Sequence, residues 1–377
     1  MKVLFFISSL AGGGAEKVMM NILSHVDRDR IDQVLLLLYP FDDLPYREYL
    51  PRDVKITVVG RNSDSFFKKV KQLIDFMKVV RREKPQVIVS VLTHNNIMAL
   101  LAGTLFRMPV IVCEHITLGE ALKTRGGKRI LGLPVAPLVK ILYRIADKII
   151  AVSEGIRDNL VEEFSVSAEK IEIIHNPMDL KLITELMDMS PKHRFFEGRA
   201  PIVMAAGRLV AQKRFDILIE AFGMVLSEMD ARLIILGDGP EKGSLEKLAK
   251  DRGITDKVSF AGFQLNPYIF LSKATVFVLS SGYEGLPMVL LEAMACGAPV
   301  ISSDCRSGPN EILDGGRCGL LVPVGDVKAL SEAIVGLLKD KESREKLSRL
   351  GRERAADFSV DTIIKQYERV IYEALTD

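Results

Sequence analysis

The sequence predicts an α/β fold in which two parallel-sheet domains follow one another along the chain. Short apolar runs that are typical of buried strands alternate with segments of helical periodicity from end to end. A polar, irregular stretch over residues 179–199 interrupts this alternation, and a length of 377 residues suits two domains better than one. We therefore expect an N-terminal domain over residues 1–178, a linker over 179–199 and a C-terminal domain over 200–358.

The first domain begins with an apolar run that is too short for a signal peptide and leads into a glycine-rich turn, which indicates a first strand. Its predicted strands are Val3–Ile7, Gln33–Leu38, Lys55–Val59, Val87–Val91, Val110–Cys113, Lys148–Val152 and Ile171–Ile174. Helical periodicity marks Ala15–Ser24, Phe67–Arg82, Ile97–Leu105 and Ile156–Phe164. Strands separated by helices predict a parallel sheet.

The second domain repeats this alternation. Its predicted strands are Ile202–Ala206, Arg232–Leu236, Val258–Ala261, Thr275–Leu279, Val300–Ser302 and Gly319–Val322. Helices are predicted from Phe215 and from Pro240, and over Met288–Cys296, Lys328–Leu338, Glu342–Ala356 and Thr362–Leu375. The second half therefore predicts a second parallel sheet wrapped by helices.

Composition indicates an ordinary globular protein, with 48% apolar and 27% charged residues and no apolar run as long as a membrane span. Four cysteines (Cys113, Cys296, Cys305 and Cys318) have no metal-ligand spacing, which favours buried free thiols in a reducing cytoplasm. No histidine–carboxylate cluster and no Asp-x-Asp at a strand end offers a divalent-ion site. We expect neither a metal nor a cofactor.

Basic and apolar residues are interleaved, without an acid, between Glu120 and Asp147. The basic members are Lys123, Arg125, Lys128, Arg129, Lys140 and Arg144. Such a stretch forms either a solvated helix face or a surface that contacts anionic lipid headgroups, as on the inner face of a cell membrane. The net charge of +2 is too small to indicate a nucleic-acid partner.

Two glutamates eight positions apart, Glu284 and Glu292, are the most informative residues of the chain. Glu284 follows a predicted buried strand, and Pro287 opens the helix that carries Glu292. One carboxylate therefore lies at the carboxyl end of a strand, where open α/β sheets bind ligands. Two acceptors beside a helix N-terminus suit a ligand that is both polyhydroxylated and phosphorylated, such as a nucleotide sugar.

Two cations and a glycine turn add phosphate-binding chemistry. Arg208 and Lys213 follow the first strand of the second domain and could hold both phosphates of a diphosphate. Gly13 and Gly14 open the first helix, where backbone N–H groups can approach a phosphate or sugar closely. A dinucleotide fingerprint is the rival interpretation of this turn, but Lys17 stands where its third glycine belongs.

The unit formed by this strand, Glu284-Gly285-Leu286-Pro287, the helix and Gly297-Ala-Pro resembles the donor-site signature of the retaining GT-B glycosyltransferases, glycosyltransferase family four in particular. The resemblance extends over nearly the whole chain. It implies two Rossmann-like parallel-sheet domains facing a cleft, with a last helix over residues 359–377 that crosses back to the N-terminal domain. It places the acceptor in the N-terminal domain and the nucleotide-sugar donor in the C-terminal one.

The resemblance also implies roles for single residues. Glu284 would bind the hydroxyls of the donor sugar, and Glu292 would bind the ribose. His115, at the end of a strand, would contact the donor sugar as a second catalytic residue. The turn that holds Gly13 and Gly14 would face the donor. The remaining substrate-binding residues that it implies are Arg208, Lys213, Gly262, Phe263, Gly285 and Leu286.

The function expected from these residues is a retaining, metal-independent transfer of a hexose from a nucleoside-diphosphate sugar, with a UDP-sugar favoured. The expected acceptor is a glycan or a polyprenyl-linked glycan in surface polysaccharide assembly, since Asp304–Glu311 resembles a stretch of such enzymes. Two alternatives stay open. A non-hydrolysing nucleotide-sugar 2-epimerase would isomerise a UDP-sugar without an acceptor, and a non-catalytic sugar-nucleotide-binding protein would not hydrolyse the donor.

Overall fold

The computed structural model describes residues 1–39, 49–60, 66–124, 129–130, 133–189 and 191–376 of the chain. The chain divides into two compact units. The first consists of Met1–Pro177 together with Val360–Asp377, and the second of Met178–Ser359. Each unit is built on a parallel sheet, which confirms the predicted α/β class.

The first unit contains a seven-stranded parallel sheet in the order β3-β2-β1-β4-β5-β8-β9. The strands of this unit are β1 (Lys2–Ile7), β2 (Asp32–Leu37), β3 (Lys55–Val58), β4 (Val87–Val91), β5 (Val110–Glu114), β6 (Arg129–Ile130), β7 (Leu133–Pro134), β8 (Lys148–Ala151) and β9 (Ile171–Ile173). β6 and β7 form a separate antiparallel pair. The central strands are rich in valine and isoleucine and are buried on both faces, as parallel strands covered by helices are.

The helices that precede Pro177 are α1 (Gly14–His25), α2 (Phe66–Glu83), α3 (Thr93–Phe106), α4 (Leu118–Thr124), α5 (Val135–Leu142) and α6 (Glu154–Phe164). The sequence pattern predicted four of these six. The pattern missed α4 and α5, which have 7 and 8 residues. Helices of about two turns show too few repeats of the 3.6-residue period to be recognised.

The second unit contains a six-stranded parallel sheet in the order β12-β11-β10-β13-β14-β15. Its strands are β10 (Ile202–Ala206), β11 (Arg232–Leu236), β12 (Val258–Gly262), β13 (Val276–Leu279), β14 (Val300–Ser303) and β15 (Leu320–Val322). Its helices are α7 (Leu180–Met187), α8 (Phe215–Glu228), α9 (Lys242–Asp251), α10 (Tyr268–Leu271), α11 (Met288–Ala295), α12 (Pro309–Ile312), α13 (Val327–Lys339) and α14 (Lys341–Ala356). The strand order reverses between β10 and β13, and ligands of open α/β sheets bind at such a point.

The expectation of an irregular segment over residues 179–199 is wrong over Leu180–Met187, which forms α7. The Asp179 carboxylate caps this helix by accepting a hydrogen bond of 2.9 Å from the Leu182 N–H. The segment is counted within the second unit. The aspartate cap followed by apolar residues at helical spacing was the signal that the composition of the stretch obscured.

The last helix, α15 (Val360–Glu373), belongs to the first unit, as the predicted fold requires. Its buried side chains recur at helical spacing: Val360, Ile363, Ile364, Tyr367, Val370 and Ile371. The Glu368 carboxylate accepts a hydrogen bond of 2.7 Å from the Asp27 N–H just after α1, and Arg369 pairs with Glu172 in β9. Polar contacts therefore hold α15 to residues near both ends of the Met1–Pro177 segment.

No helix within the described ranges combines the length and the hydropathy of a membrane span. All four cysteines are buried and free, as the sequence predicted.

Candidate functional site

The turns that follow β10 and β11 pack backbone against backbone. Gly207 and Gly237 both have positive φ angles, +154° and +123°. A Cβ atom on Gly237 would overlap the carbonyl oxygen of Gly207, so no other residue fits there without displacing the turn. This close packing fixes the segment that carries Arg208 and ends in the 3-10 turn Ala211–Lys213.

Lys213 and Glu284 form a largely buried ion pair between the ends of two neighbouring strands. The Lys213 Nζ lies 2.6 Å from the Glu284 Oε1, and the two side chains are 16% and 8% exposed. The Ser281 hydroxyl donates a second hydrogen bond of 2.6 Å to the same oxygen. One carboxylate oxygen is thus held by a cation from the β10 turn and by a hydroxyl from its own turn.

The turn after β13 is held to the β10 turn at three further points. The Gly282 N–H donates to the Gln212 carbonyl at 2.8 Å, and the Gln212 side-chain amide donates to the Tyr283 carbonyl at 2.9 Å. The Ser280 hydroxyl donates to the Lys213 carbonyl at 2.8 Å. These bonds orient the ion pair before any ligand arrives.

The turn after β14 supports Gly285 and Leu286, which are both buried. The Ser307 hydroxyl donates to the Gly285 carbonyl at 2.9 Å. Gly308 has a φ of +90°, and a Cβ atom there would overlap the same carbonyl oxygen. Gly285 and Leu286 therefore belong to the rigid frame of the Glu284 turn.

Glu292 lies on α11, the helix that follows the Glu284 turn, and only 3% of it is exposed. Its Oε1 accepts a hydrogen bond of 3.3 Å from the Tyr268 hydroxyl on α10. A buried carboxylate of this kind needs polar partners, because an unpaired one would be strongly disfavoured. Tyr268 is one such partner that the sequence analysis did not identify.

Arg208 and Phe263 are the exposed members of the predicted set within the second unit. The Arg208 guanidinium makes no hydrogen bond or ion pair with any residue that the structure describes. Phe263 is 46% exposed and directly follows β12, whose last residue, Gly262, accepts a hydrogen bond of 2.7 Å from the Gly237 N–H. The carboxyl edge of this sheet thus offers an unengaged cation, an aromatic face and a carboxylate, which suit phosphate, base and sugar hydroxyls.

Cys305, in the turn after β14, was not predicted to be part of the site. It is buried, and its Sγ approaches the Ser307 carbonyl at 3.8 Å. Burial, and then the charge of Glu284, raises the pKa of the Cys305 thiol to about 12. The thiol therefore stays protonated beside the carboxylate and acts as a small apolar neighbour.

The remaining predicted residues belong to the first unit. Gly13 is the N-cap residue of α1, which begins at Gly14 and has no side-chain cap. His115 follows β5, and its Nε2 is buried without a hydrogen-bond partner in the described part of the chain. Burial lowers the pKa of His115 to about 4, so the imidazole is neutral at pH 7. A neutral imidazole donates a hydrogen bond from one ring nitrogen and accepts one at the other.

The structure thus brings Lys213, Glu284 and the Gly285–Leu286 turn into one frame within the second unit. In the first unit it places Gly13 and Gly14 at the N-terminus of α1 and His115 directly after β5. Within the described residues, no group of three or more histidine, cysteine or acidic side chains could hold a metal ion.

Two protein families match the chain, one in each half. The family described as Glycosyltransferase Family 4 matches residues 12–182, and the family described as Glycosyl transferases group 1 matches residues 188–354. Together these matches cover most of the chain and both of its sheets.

Relatives with named activities match over most of their length. An N-acetylgalactosamine-N,N'-diacetylbacillosaminyl-diphospho-undecaprenol 4-alpha-N-acetylgalactosaminyltransferase of Campylobacter jejuni is 28% identical over 95% of each chain. A lipopolysaccharide 1,6-galactosyltransferase of Salmonella typhimurium is 26% identical over 87% of each chain. The crystal structure of Anabaena HepE in complex with UDP-glucose matches with a TM-score of 0.83 and 19% identity, over 99% of this chain and 100% of that one. The last similarity shows the shared GT-B fold.

Proposed function

The chain belongs to the group 1 glycosyltransferases, and from this premise we propose that it is a retaining enzyme that moves a hexose from a UDP-sugar to a glycan or polyprenyl-linked acceptor. The observation that carries this proposal is the ion pair between Lys213 and Glu284, with Ser281 on the same carboxylate oxygen. The pair supports the proposal because a cation suits phosphate, a carboxylate suits sugar hydroxyls, and the two meet at one point of the sheet edge.

Each part of the donor has a matching group. Lys213 and the exposed Arg208 both follow β10, and they bind the diphosphate. Their positive charges stabilise the negative charge that grows as the leaving group departs. Glu284 accepts hydrogen bonds from the hydroxyls of the sugar. Glu292 binds the ribose, and the exposed ring of Phe263 adjoins the base. We propose that His115, which is neutral at pH 7, contributes a hydrogen bond to the sugar.

The names of related proteins support the choice of donor and acceptor. HepE was crystallised with UDP-glucose, and the name of the Campylobacter relative specifies a diphospho-undecaprenol-linked acceptor. The relatives named here are transferases, which disfavours an epimerase or a non-catalytic binding protein. We therefore favour a UDP-sugar donor and a lipid-linked glycan acceptor.

Binding of free nucleotides without metal tests the proposed donor site. Isothermal titration with UDP, GDP and ADP, each in the presence of EDTA, is expected to show UDP binding about tenfold or more tightly than the others. Arg208 and Lys213 supply the positive charge in this proposal, so a chelator should leave UDP affinity and UDP release from UDP-sugars unchanged. Loss of UDP binding in EDTA, with recovery on adding Mg²⁺ or Mn²⁺, would refute the metal-free site.

An anionic membrane surface is the second partner that we propose. Leu133, Ile141 and Ile145 are 55%, 65% and 50% exposed around α5, and the basic Lys140 and Arg144 lie exposed among them. Exposed apolar side chains interleaved with cations suit the interface of an anionic bilayer. Arg125 and Lys128, which the sequence analysis included in this surface, lie outside the described residues.

Vesicle co-sedimentation is expected to detect this contact. Replacing Lys140 and Arg144 by glutamine should weaken binding to phosphatidylglycerol vesicles by roughly 30-fold, since each cation near such a surface contributes about 1 kcal/mol and the two together contribute about 2 kcal/mol. The matched control replaces Lys247 and Lys250, two exposed lysines of α9, by glutamine and should bind as the parent protein does. Equal binding of the parent to neutral and anionic vesicles would contradict an electrostatic contact.

A further inference from the structure

Glu114, the last residue of β5, is a fully buried carboxyl group directly before His115. Its Oε1 accepts hydrogen bonds from the Asn96 side-chain amide at 3.0 Å and from the Tyr143 hydroxyl. Its Oε2 accepts a hydrogen bond of 3.1 Å from the Thr93 hydroxyl. Two of these donors lie in the first turn of α3, and the third begins the 3-10 turn that follows α5.

The direction of these hydrogen bonds follows from the chemistry of the partners. The Asn96 Nδ2 also lies 3.0 Å from the Cys113 carbonyl, which can only accept a hydrogen bond. The atom facing both this carbonyl and Glu114 must therefore be the amide nitrogen, which donates to each. Burial, and then the charge of Glu114, raises the pKa of Tyr143 well above its ordinary value. Tyr143 therefore keeps its proton and donates a hydrogen bond to Glu114.

Thr93 and Asn96 lie in the helical turn that follows a residue with an unusual backbone conformation. Leu92, between β4 and α3, has a φ of +77°, which a residue other than glycine rarely adopts. Its N–H donates to the Cys113 carbonyl at 3.2 Å, and its carbonyl accepts from the Asn96 N–H at 2.9 Å. Such a conformation persists only where the surroundings determine it, and it is common at functional sites.

A structural role alone does not explain a carboxyl group at this position. Burying it is unfavourable, and apolar side chains of similar volume often stabilise a core as well or better. What the carboxyl group adds is direction, because it ties the end of β5 to α3 and to the turn at Tyr143 by three oriented hydrogen bonds. The residue whose place is set by that end of the strand is His115.

We propose that Glu114 and Tyr143 are positioning residues that hold the end of β5 so that His115 meets the donor sugar. This inference rests on the role that the proposed function gives to His115. Neither positioning residue touches substrate, since both are completely buried. The Nε2 of His115, which has no hydrogen-bond partner among the described residues, is the atom whose location they would determine.

Tyr143→Phe is the direct test, and the chain offers a matched control. Tyr367, on α15 of the same unit, is equally buried, but its hydroxyl has no hydrogen-bond partner among the described residues. Tyr143→Phe is expected to lower the kcat of UDP release from the best-bound UDP-sugar by about 10- to 100-fold, as misplaced groups do, with UDP affinity unchanged. Tyr367→Phe removes the same hydroxyl and should change kcat by less than about twofold.

Histidine NMR gives a readout that does not depend on turnover. The chain has five histidines, so the His115 signal can be assigned from its loss in His115→Gln. Loosening the end of β5 should admit water and raise the pKa of His115 from about 4 toward its ordinary value in Tyr143→Phe, and not in Tyr367→Phe. Thr93→Val, which removes only the bond to Oε2, is expected to act in the same direction and serves if Tyr143→Phe does not fold.

The outcomes separate this inference from the proposed function. If His115→Gln abolishes turnover while Tyr143→Phe and Thr93→Val match Tyr367→Phe in kcat and leave the His115 titration unchanged, the positioning role is overturned. If His115→Gln turns over normally, the proposed role of His115 fails. The shifted His115 titration in Tyr143→Phe would then still support positioning of that side chain.

Discussion

Glu284→Gln is expected to reduce sugar transfer by roughly 100-fold or more while UDP binding persists. The substitution keeps the size of the side chain but removes its negative charge. The carboxylate oxygen that it alters pairs with Lys213 and accepts a hydrogen bond from the Ser281 hydroxyl. Charged hydrogen bonds of this kind are worth about 1.5–3 kcal/mol each. Loss of orientation at the sugar adds to that loss, since the reacting carbon must be held against the acceptor. UDP lacks the sugar, so its binding depends on the phosphate and ribose contacts instead.

The measurement compares kcat for UDP release with the dissociation constant of UDP from calorimetry. Glu246→Gln removes a glutamate charge from an exposed position on α9 and is the control for a change in net charge. Because Glu284→Gln frees Lys213 from its partner, UDP affinity should stay equal or increase. A Glu284→Gln protein that transfers sugar at the parent rate would remove the main support for the proposed function.

Lys213→Ala should weaken both UDP binding and the second unit itself. It leaves the carboxylate of Glu284, whose side chain is 8% exposed, without its cation. Removing one partner of a buried ion pair destabilises a protein by about 3–5 kcal/mol, and we expect the lower end because Lys213 is partly exposed. Arg208→Ala removes a cation that has no partner in the described structure, so UDP affinity should fall with stability unchanged within about 0.5 kcal/mol.

The double variant Lys213→Ala/Glu284→Gln isolates the pair. Removing the buried charge together with its cation should restore part of the stability that Lys213→Ala loses, so the two effects on the free energy of unfolding are not additive. Chemical denaturation of the four proteins measures this coupling, and calorimetry with UDP measures binding. Additive stabilities would show that the ion pair does not contribute to folding. UDP affinity unchanged in both Lys213→Ala and Arg208→Ala would show that the phosphates bind elsewhere.

The sequence predicted where Lys213 and Glu284 lie but not that they touch. Each was placed at the end of an apolar run, and such runs indicate strands reliably when both faces are buried. Their contact joins residues 71 positions apart, and it depends on β13 pairing with β10 rather than with β12. Strand order is set by the packing of the whole sheet, so the sequence of one turn cannot predict which strands are neighbours.

Other features of the site could not be predicted for different physical reasons. Ser281, Cys305 and Tyr268 are common residue types, and only their contacts with Glu284 and Glu292 distinguish them. The family resemblance singled out His115 at a strand end, and its role stays a prediction. Its low pKa, however, comes from burial in the folded unit, which a sequence pattern does not show. Helices such as α10 and α12 have four residues each and leave no periodic pattern.

The return of α15 to the first unit has a consequence for biosynthesis. The first unit needs Val360–Glu373 to cover α1, but the ribosome makes all of Met178–Ser359 before that helix. At about 5–20 residues per second, translation of the intervening segment takes on the order of 10–40 s. During that time the apolar surface that α15 later covers is open on the nascent chain, while the second unit can already fold without it. The first unit is thus completed last, although its N-terminal part is synthesised first, and we expect this uncovered surface to be where a chaperone binds the nascent chain.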